Sequence, residues 1–248
     1  MFARAGPTSG PSGAASEREA GQVNKRYIIG AIAAAVVVVA VLVGINVLGG
    51  DDDGVSSIEG VEQVQASLQG LPQEGNTLGQ ADAPVEIIEY GDISCPACQL
   101  ASETTVPELI DEFVRDGEAK LTFRPIAFIN ASSERGALGA EAAAMQDAMW
   151  SFVEVLYANQ GSETEDWLSD ALMEDAVTQL GLDLEEWRAD FAGEAVASAF
   201  FARSEEARED GVNATPTFVV RGPRGERLIE GAANLSEFQD AVTAVGPQ

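Results

Sequence analysis

The 248-residue sequence predicts an α/β domain of the α+β kind, one mixed sheet interrupted by a helical insertion and preceded by a single N-terminal transmembrane helix. Three observations carry this. An apolar run without charge fills residues 27–48. Strand-like segments near 85–90 and 119–129 precede a long helical pattern. Two more, at 214–220 and 227–232, follow it with a turn between them and a final helix behind. The order β-α-β, helices, β-β-α belongs to one layered domain rather than two.

Residues 1–26 are rich in Gly, Ser, Ala and Pro and lack apolar periodicity, so a disordered cytoplasmic tail is expected. The run "YIIGAIAAAVVVVAVLVGINVL" at 27–48 would span about 33 Å as a helix, enough for a bilayer core. Lys25 and Arg26 precede it and Asp51, Asp52 and Asp53 follow it. Positive charge stays inside, which puts the N-terminus in the cytoplasm and the C-terminal part outside. The run exceeds the ~7–15 residues of a signal-peptide core and no A-x-A site follows, so it reads as an uncleaved anchor. Residues 49–75 read as an acidic linker, with order beginning near "VQASLQGL", and 76–248 as the exported domain.

Within that domain "APVEIIEYGD" gives a short β-branched strand, and "CQLASETTVPELIDEFVRDGE" has helical spacing at Leu109, Ile110, Phe113 and Val114. Pro96 suits the first turn of that helix, and Pro107 should interrupt it. "AKLTFRPIAFI" is the second strand. From about 132 to 210 five helical patterns follow, with Gly181 and Gly211 as plausible stops. "ATPTFVV" and "RLIEGA" then form a hairpin through "RGPRGE", and "LSEFQDAVTAVG" closes the chain as a helix.

Composition limits the chemistry. The chain has no histidine, two cysteines and a net charge of −27. Without an imidazole, Ser-His-Asp and Cys-His mechanisms are excluded. Two cysteines alone cannot complete a four-ligand zinc site, so no metal and no other cofactor is expected. Lys25 and Lys120 are the sole lysines, which argues against nucleic acid as a partner. Both cysteines lie in "GDISCPACQL", where a strand ends and a helix begins. A bridge across so short a loop restrains the unfolded chain little. In an exported domain the Cys95–Cys98 pair reads instead as a redox centre. The N–H groups of the helix start favour a thiolate at Cys95, and Cys98, one turn in, would be the resolving thiol.

Two stretches, "LGQADAPVEIIEYGDISCPAC" and "GVNATPTFVV", stand at the two ends of the domain with the helical block between them. In this arrangement residues 76–245 resemble the DsbA family of extracytoplasmic thiol–disulfide oxidoreductases, in the membrane-anchored form of Gram-positive bacteria. The resemblance implies a thioredoxin-like fold and oxidation of thiols in exported proteins, with Pro96 and Ala97 as the active-site dipeptide. It implies further that Glu89 assists proton movement at the inner cysteine. Read on its own, Glu89 is an ordinary exposed strand residue, and Asp92 a turn or capping residue. Thr215 and Pro216 match the family's cis-proline loop, which faces the disulfide and pairs with an extended substrate. The implied partners are reduced exported proteins and a quinone-linked membrane reoxidase of the DsbB or vitamin K epoxide reductase-like kind. Ala97, where strong oxidases often carry histidine, and Thr215, also found in reductases and isomerases, leave a membrane-anchored reductase or isomerase as the alternative. A thioredoxin-fold binding domain without activity is a third reading.

Overall fold

The computed structural model describes residues 57–248. The expected tail 1–26, the expected span 27–48 and the start of the expected linker lie outside the described residues. Among the described residues no helix is long and apolar enough to cross a membrane.

The second half of the expected linker belongs to the folded domain. Residues Val61–Ser67 form α1, and Gln73–Glu74 (β1) and Thr77–Leu78 (β2) pair as a short antiparallel ribbon on the sheet edge. The physical reason is apolar spacing. Ile58, Val61 and Leu68 are buried in the main core, and Val64 packs against it. Hydrogen bonds from the amide of Ile58 to Asp175 and from that of Glu59 to Asn159 fasten this segment to the helical insertion.

The sheet continues with β3 (Val85–Gly91), β4 (Ala119–Pro125), β5 (Thr217–Gly222) and β6 (Gly225–Glu230), in the order β1-β2-β4-β3-β5-β6. Only the β3–β4 pair is parallel; β3 pairs with β5, and β5 with β6, antiparallel. Between β3 and β4 run α2 (Pro96–Glu103), α3 (Thr105–Leu109) and a π-helical turn, Ile110–Val114. The break falls at Thr104, because Pro107 cannot donate to the carbonyl of Glu103 and its ring crowds that carbonyl. The insertion comprises α4 (Ala131–Ala144), α5 (Met149–Ala158), α6 (Asp170–Gln179), α7 (Leu184–Phe191) and α8 (Glu194–Glu209), and α9 (Leu235–Val245) ends the domain. Gly181 and Gly211 terminate α6 and α8 with φ of 79° and 75°, a region glycine enters without steric cost.

Strand periodicity separates the two faces of the sheet. Val85 and Ile87 of β3 join the main core with Leu121, Phe123, Phe218 and the insertion, whereas Ile88 and Tyr90 pack on the other face with Ile126, Ala207 and Val219. That second face is fixed to α8 by polar groups. The Tyr90 hydroxyl donates to Asp210 at 2.7 Å, and Arg124 pairs with Glu206 at 3.1 Å.

Candidate active site

The strand–helix junction places Cys95 as the N-cap of α2, with Pro96 in the first turn. The carbonyl of Cys95 accepts from the amides of Cys98 and Gln99 at 3.0 and 3.1 Å. Pro96 and Ala97 are exposed, Cys95 retains 7% of its surface and Cys98 none. One sulfur is therefore reachable and the other is covered. The Cys95 thiol is lowered from its ordinary value near 9 to about 6. The largest cause is the Cys98 thiol donating to its sulfur. Burial opposes this, while the Thr215 side chain and the amides of Cys98 and Ala97 add to it. Cys98 moves the opposite way: burial comes first, then the hydrogen bond it donates to Cys95, the charge of Cys95, and then the charge of Glu89. The pair is thus split into a thiolate that can attack or leave and a thiol that holds its proton.

Thr215–Pro216 is a cis peptide bond. It brings the Thr215 carbonyl within 3.4 Å of the Cys95 sulfur, where it accepts from the thiol. Pro216 is buried and Thr215 half-buried. A backbone group thus borders the reactive sulfur next to the exposed tip of α2.

Glu89 is buried at 1% exposure, so its reading as an exposed strand residue is corrected. It shares strand parity with Val85 and Ile87, and its register partners are Phe123 on β4 and Phe218 on β5, both fully buried. Its Oε1 has no hydrogen-bond partner. Burial raises its pKa well above the ordinary range, and the charges of Glu154 and Cys95 raise it further. A carboxyl whose hold on its proton is strengthened by burial can give that proton to a departing thiolate. The parity with Val85 and Ile87 is the signal in the sequence that marks Glu89 as inward.

Asp92 is the turn residue expected of it. Its carboxylate accepts from the amides of Ser94 and Phe128 at 2.8 and 3.0 Å. The insertion holds the same turn from outside. Gln160 donates to the carbonyls of Ile93 and Cys95, Trp167 donates to the Ser94 hydroxyl, and Ser94 donates to Asn130, the N-cap of α4. Glu154 on α5, whose charge bears on Glu89, is a site neighbour that no sequence motif marks. No cluster of three or more Cys, His, Asp or Glu with metal-binding geometry occurs among the described residues.

The comparisons agree with this geometry. A family model described as thioredoxin matches residues 73–244. The chain is 32% identical over 150 residues to "Probable disulfide bond formation protein D" of Bacillus cereus, covering 59% of this chain and 69% of that protein. To "Disulfide bond formation protein D" of Bacillus subtilis it is 27% identical over 181 residues, covering 72% and 78%. The crystal structure of oxidised BdbD from Bacillus subtilis superposes with a TM-score of 0.61 at 26% identity, over 70% of this chain and 95% of that one. With two cysteines at a helix start, one fully covered and one keeping a little surface, and this likeness along most of its length, the chain belongs to the thioredoxin family, among its DsbA-like thiol–disulfide oxidoreductases.

Proposed function

We propose that the protein oxidises thiols of exported proteins to disulfides through Cys95 and Cys98. The observation that carries this is the lowered pKa of Cys95 beside the raised pKa of Cys98. A stabilised thiolate favours the reduced pair, so the disulfide is a ready electron acceptor. A substrate thiolate attacks the Cys95 sulfur and breaks the Cys95–Cys98 bond. Cys98 leaves and takes a proton, for which Glu89 is the donor. A second substrate thiolate then attacks the substrate sulfur of the mixed disulfide, and Cys95 departs as a thiolate. Two electrons pass from substrate to enzyme; one proton stays on Cys98 and one goes to solvent. The Thr215 carbonyl, held by Pro216, is positioned to pair with an extended substrate backbone. Pro96 and Ala97 present the sulfur.

In this reading residues 27–48 anchor the chain in the cell membrane, with the N-terminus in the cytoplasm and residues 76–248 outside. The support is the uncharged run with its flanking charges. Turnover then needs a membrane reoxidase that passes electrons to a quinone, of the DsbB or vitamin K epoxide reductase-like kind. The test is trapping. With Cys95 of Cys98→Ser first capped as a mixed disulfide with glutathione, a reduced, unfolded substrate should displace glutathione and accumulate disulfide-linked to Cys95, and Cys95→Ser should refold a reduced dithiol substrate no faster than buffer. Catalysed refolding that persists in Cys95→Ser overturns the reading.

A further inference from the structure

The active-site account leaves unused the half-buried carboxyl of Glu154. Glu154 lies on α5. Its Oε2 accepts from the Ser102 hydroxyl at 2.6 Å. Ser102 is four residues after Cys98 on α2, so the two buried side chains share one helix face. Glu89 on β3 has a buried oxygen without a partner, and the charge of Glu154 bears on it. On its other side Glu154 lines a cavity of about 180 Å³ together with Ser67, Leu68, Val106, Pro107, Asp111 and Arg115. The share of liquid volume taken by one water is about 30 Å³, so a short chain of waters fits. The outer wall of the cavity is the ion pair Arg115–Asp111 at 3.0 Å, whose side chains are 38% and 77% exposed.

We infer that Glu154 is the outer member of a two-carboxyl proton relay, joining Glu89 to solvent through this cavity rather than through the substrate face. The inference rests on the Cys95–Cys98 exchange reading. When Cys98 leaves as a thiolate, Glu89 gives it a proton. Glu89 is recharged by Glu154, and Glu154 by water in the cavity. Reoxidation runs the same protons outward. The logic is one of access. Once a substrate is disulfide-linked to Cys95, it covers the exposed tip of α2, while the cavity beside Pro107 stays open. Burial raises Glu154 to about 7, against the Ser102 hydrogen bond, which lowers it, so it exchanges protons readily near neutrality. The other ionisable groups around it are Glu89 from β3, Tyr157 from its own helix, and Asp111 and Arg115 across the cavity. Glu154 acts through Glu89 and does not touch the sulfurs; it is a positioning residue for the proton.

The test uses the full chain and the single-turnover rate at which a small dithiol reduces the Cys95–Cys98 disulfide, followed from pH 5 to 9. Glu154→Gln should slow this step about tenfold or more, the lower edge of what a positioned acid contributes. It should also remove the inflection near pH 7 and leave the thiolate titration of Cys95 near 6. Glu154→Asp should restore both rate and inflection. Glu89→Gln combined with Glu154→Gln should be no slower than Glu89→Gln alone, as a series relay requires. Ser102→Ala, which keeps the carboxyl, should move the inflection upward; it stands in if the Gln variant does not fold. An unchanged profile in Glu154→Gln, or additive losses in the double variant, overturns the relay. A parent protein that the dithiol cannot reduce overturns the exchange reading itself.

Discussion

At the residue scale the site depends on the difference between two cysteines three positions apart. Cys98 donates to the Cys95 sulfur and so lowers its partner. Removing that donor in Cys98→Ala should move the thiolate titration of Cys95, read by absorbance at 240 nm, from about 6 toward the ordinary value near 9. A midpoint that stays near 6 would assign the shift to the helix amides instead. The cysteines were legible in the sequence at a strand–helix junction, whereas the dipeptide's role and the Thr215–Pro216 loop came with the family resemblance, since an X-Pro bond read alone is trans. The burial of Glu89 was legible through the family resemblance, and its strand parity with Val85 and Ile87 marks it too. Glu154 was not, because its contact with Ser102 joins residues 52 apart and a glutamate within a helix carries no pattern of its own.

At the element scale the insertion acts as a clamp on the active-site turn. Gly136 of α4 rests on Ile93, which is fully buried two residues before Cys95. A Cβ at position 136 would lie 2.8 to 2.9 Å from three Ile93 side-chain atoms. Gly136→Ala should therefore destabilise the domain by about 1–3 kcal/mol, as overpacking of a filled core does. Urea unfolding checks this, and an unchanged midpoint would mean that the turn yields freely. Asn130 caps α4 and accepts from Ser94, so Asn130→Ala should cost about 0.5–2 kcal/mol as a lost cap. The helices, hairpin and final helix were legible from apolar periodicity. The onset of order was legible near 64–71, and α1 begins only three residues earlier, at Val61; what was not legible is how this segment is fastened. Its packing partners, Asp175 and Asn159, are 117 and 100 residues away.

At the scale of the whole molecule the thiolate couples redox state to stability. In the folded reduced protein Cys95 titrates near 6, and in the unfolded chain near its ordinary 9. Between these values the unfolded state binds more protons, so the reduced form gains stability as pH rises from about 6 to 9 and loses it as pH falls through 6. The disulfide form has no such titration. The carboxyls of the buried Glu89 and the half-buried Glu154 occur in both forms. The raised Cys98 opposes the gain only above its unfolded value near 9. The direct measurement is guanidinium unfolding of the reduced and oxidised protein across this range. A reduced form that is the more stable, by a margin that widens from pH 6 to 9, is the expected result for an oxidase. A more stable oxidised form, or a margin that does not change with pH, would contradict it.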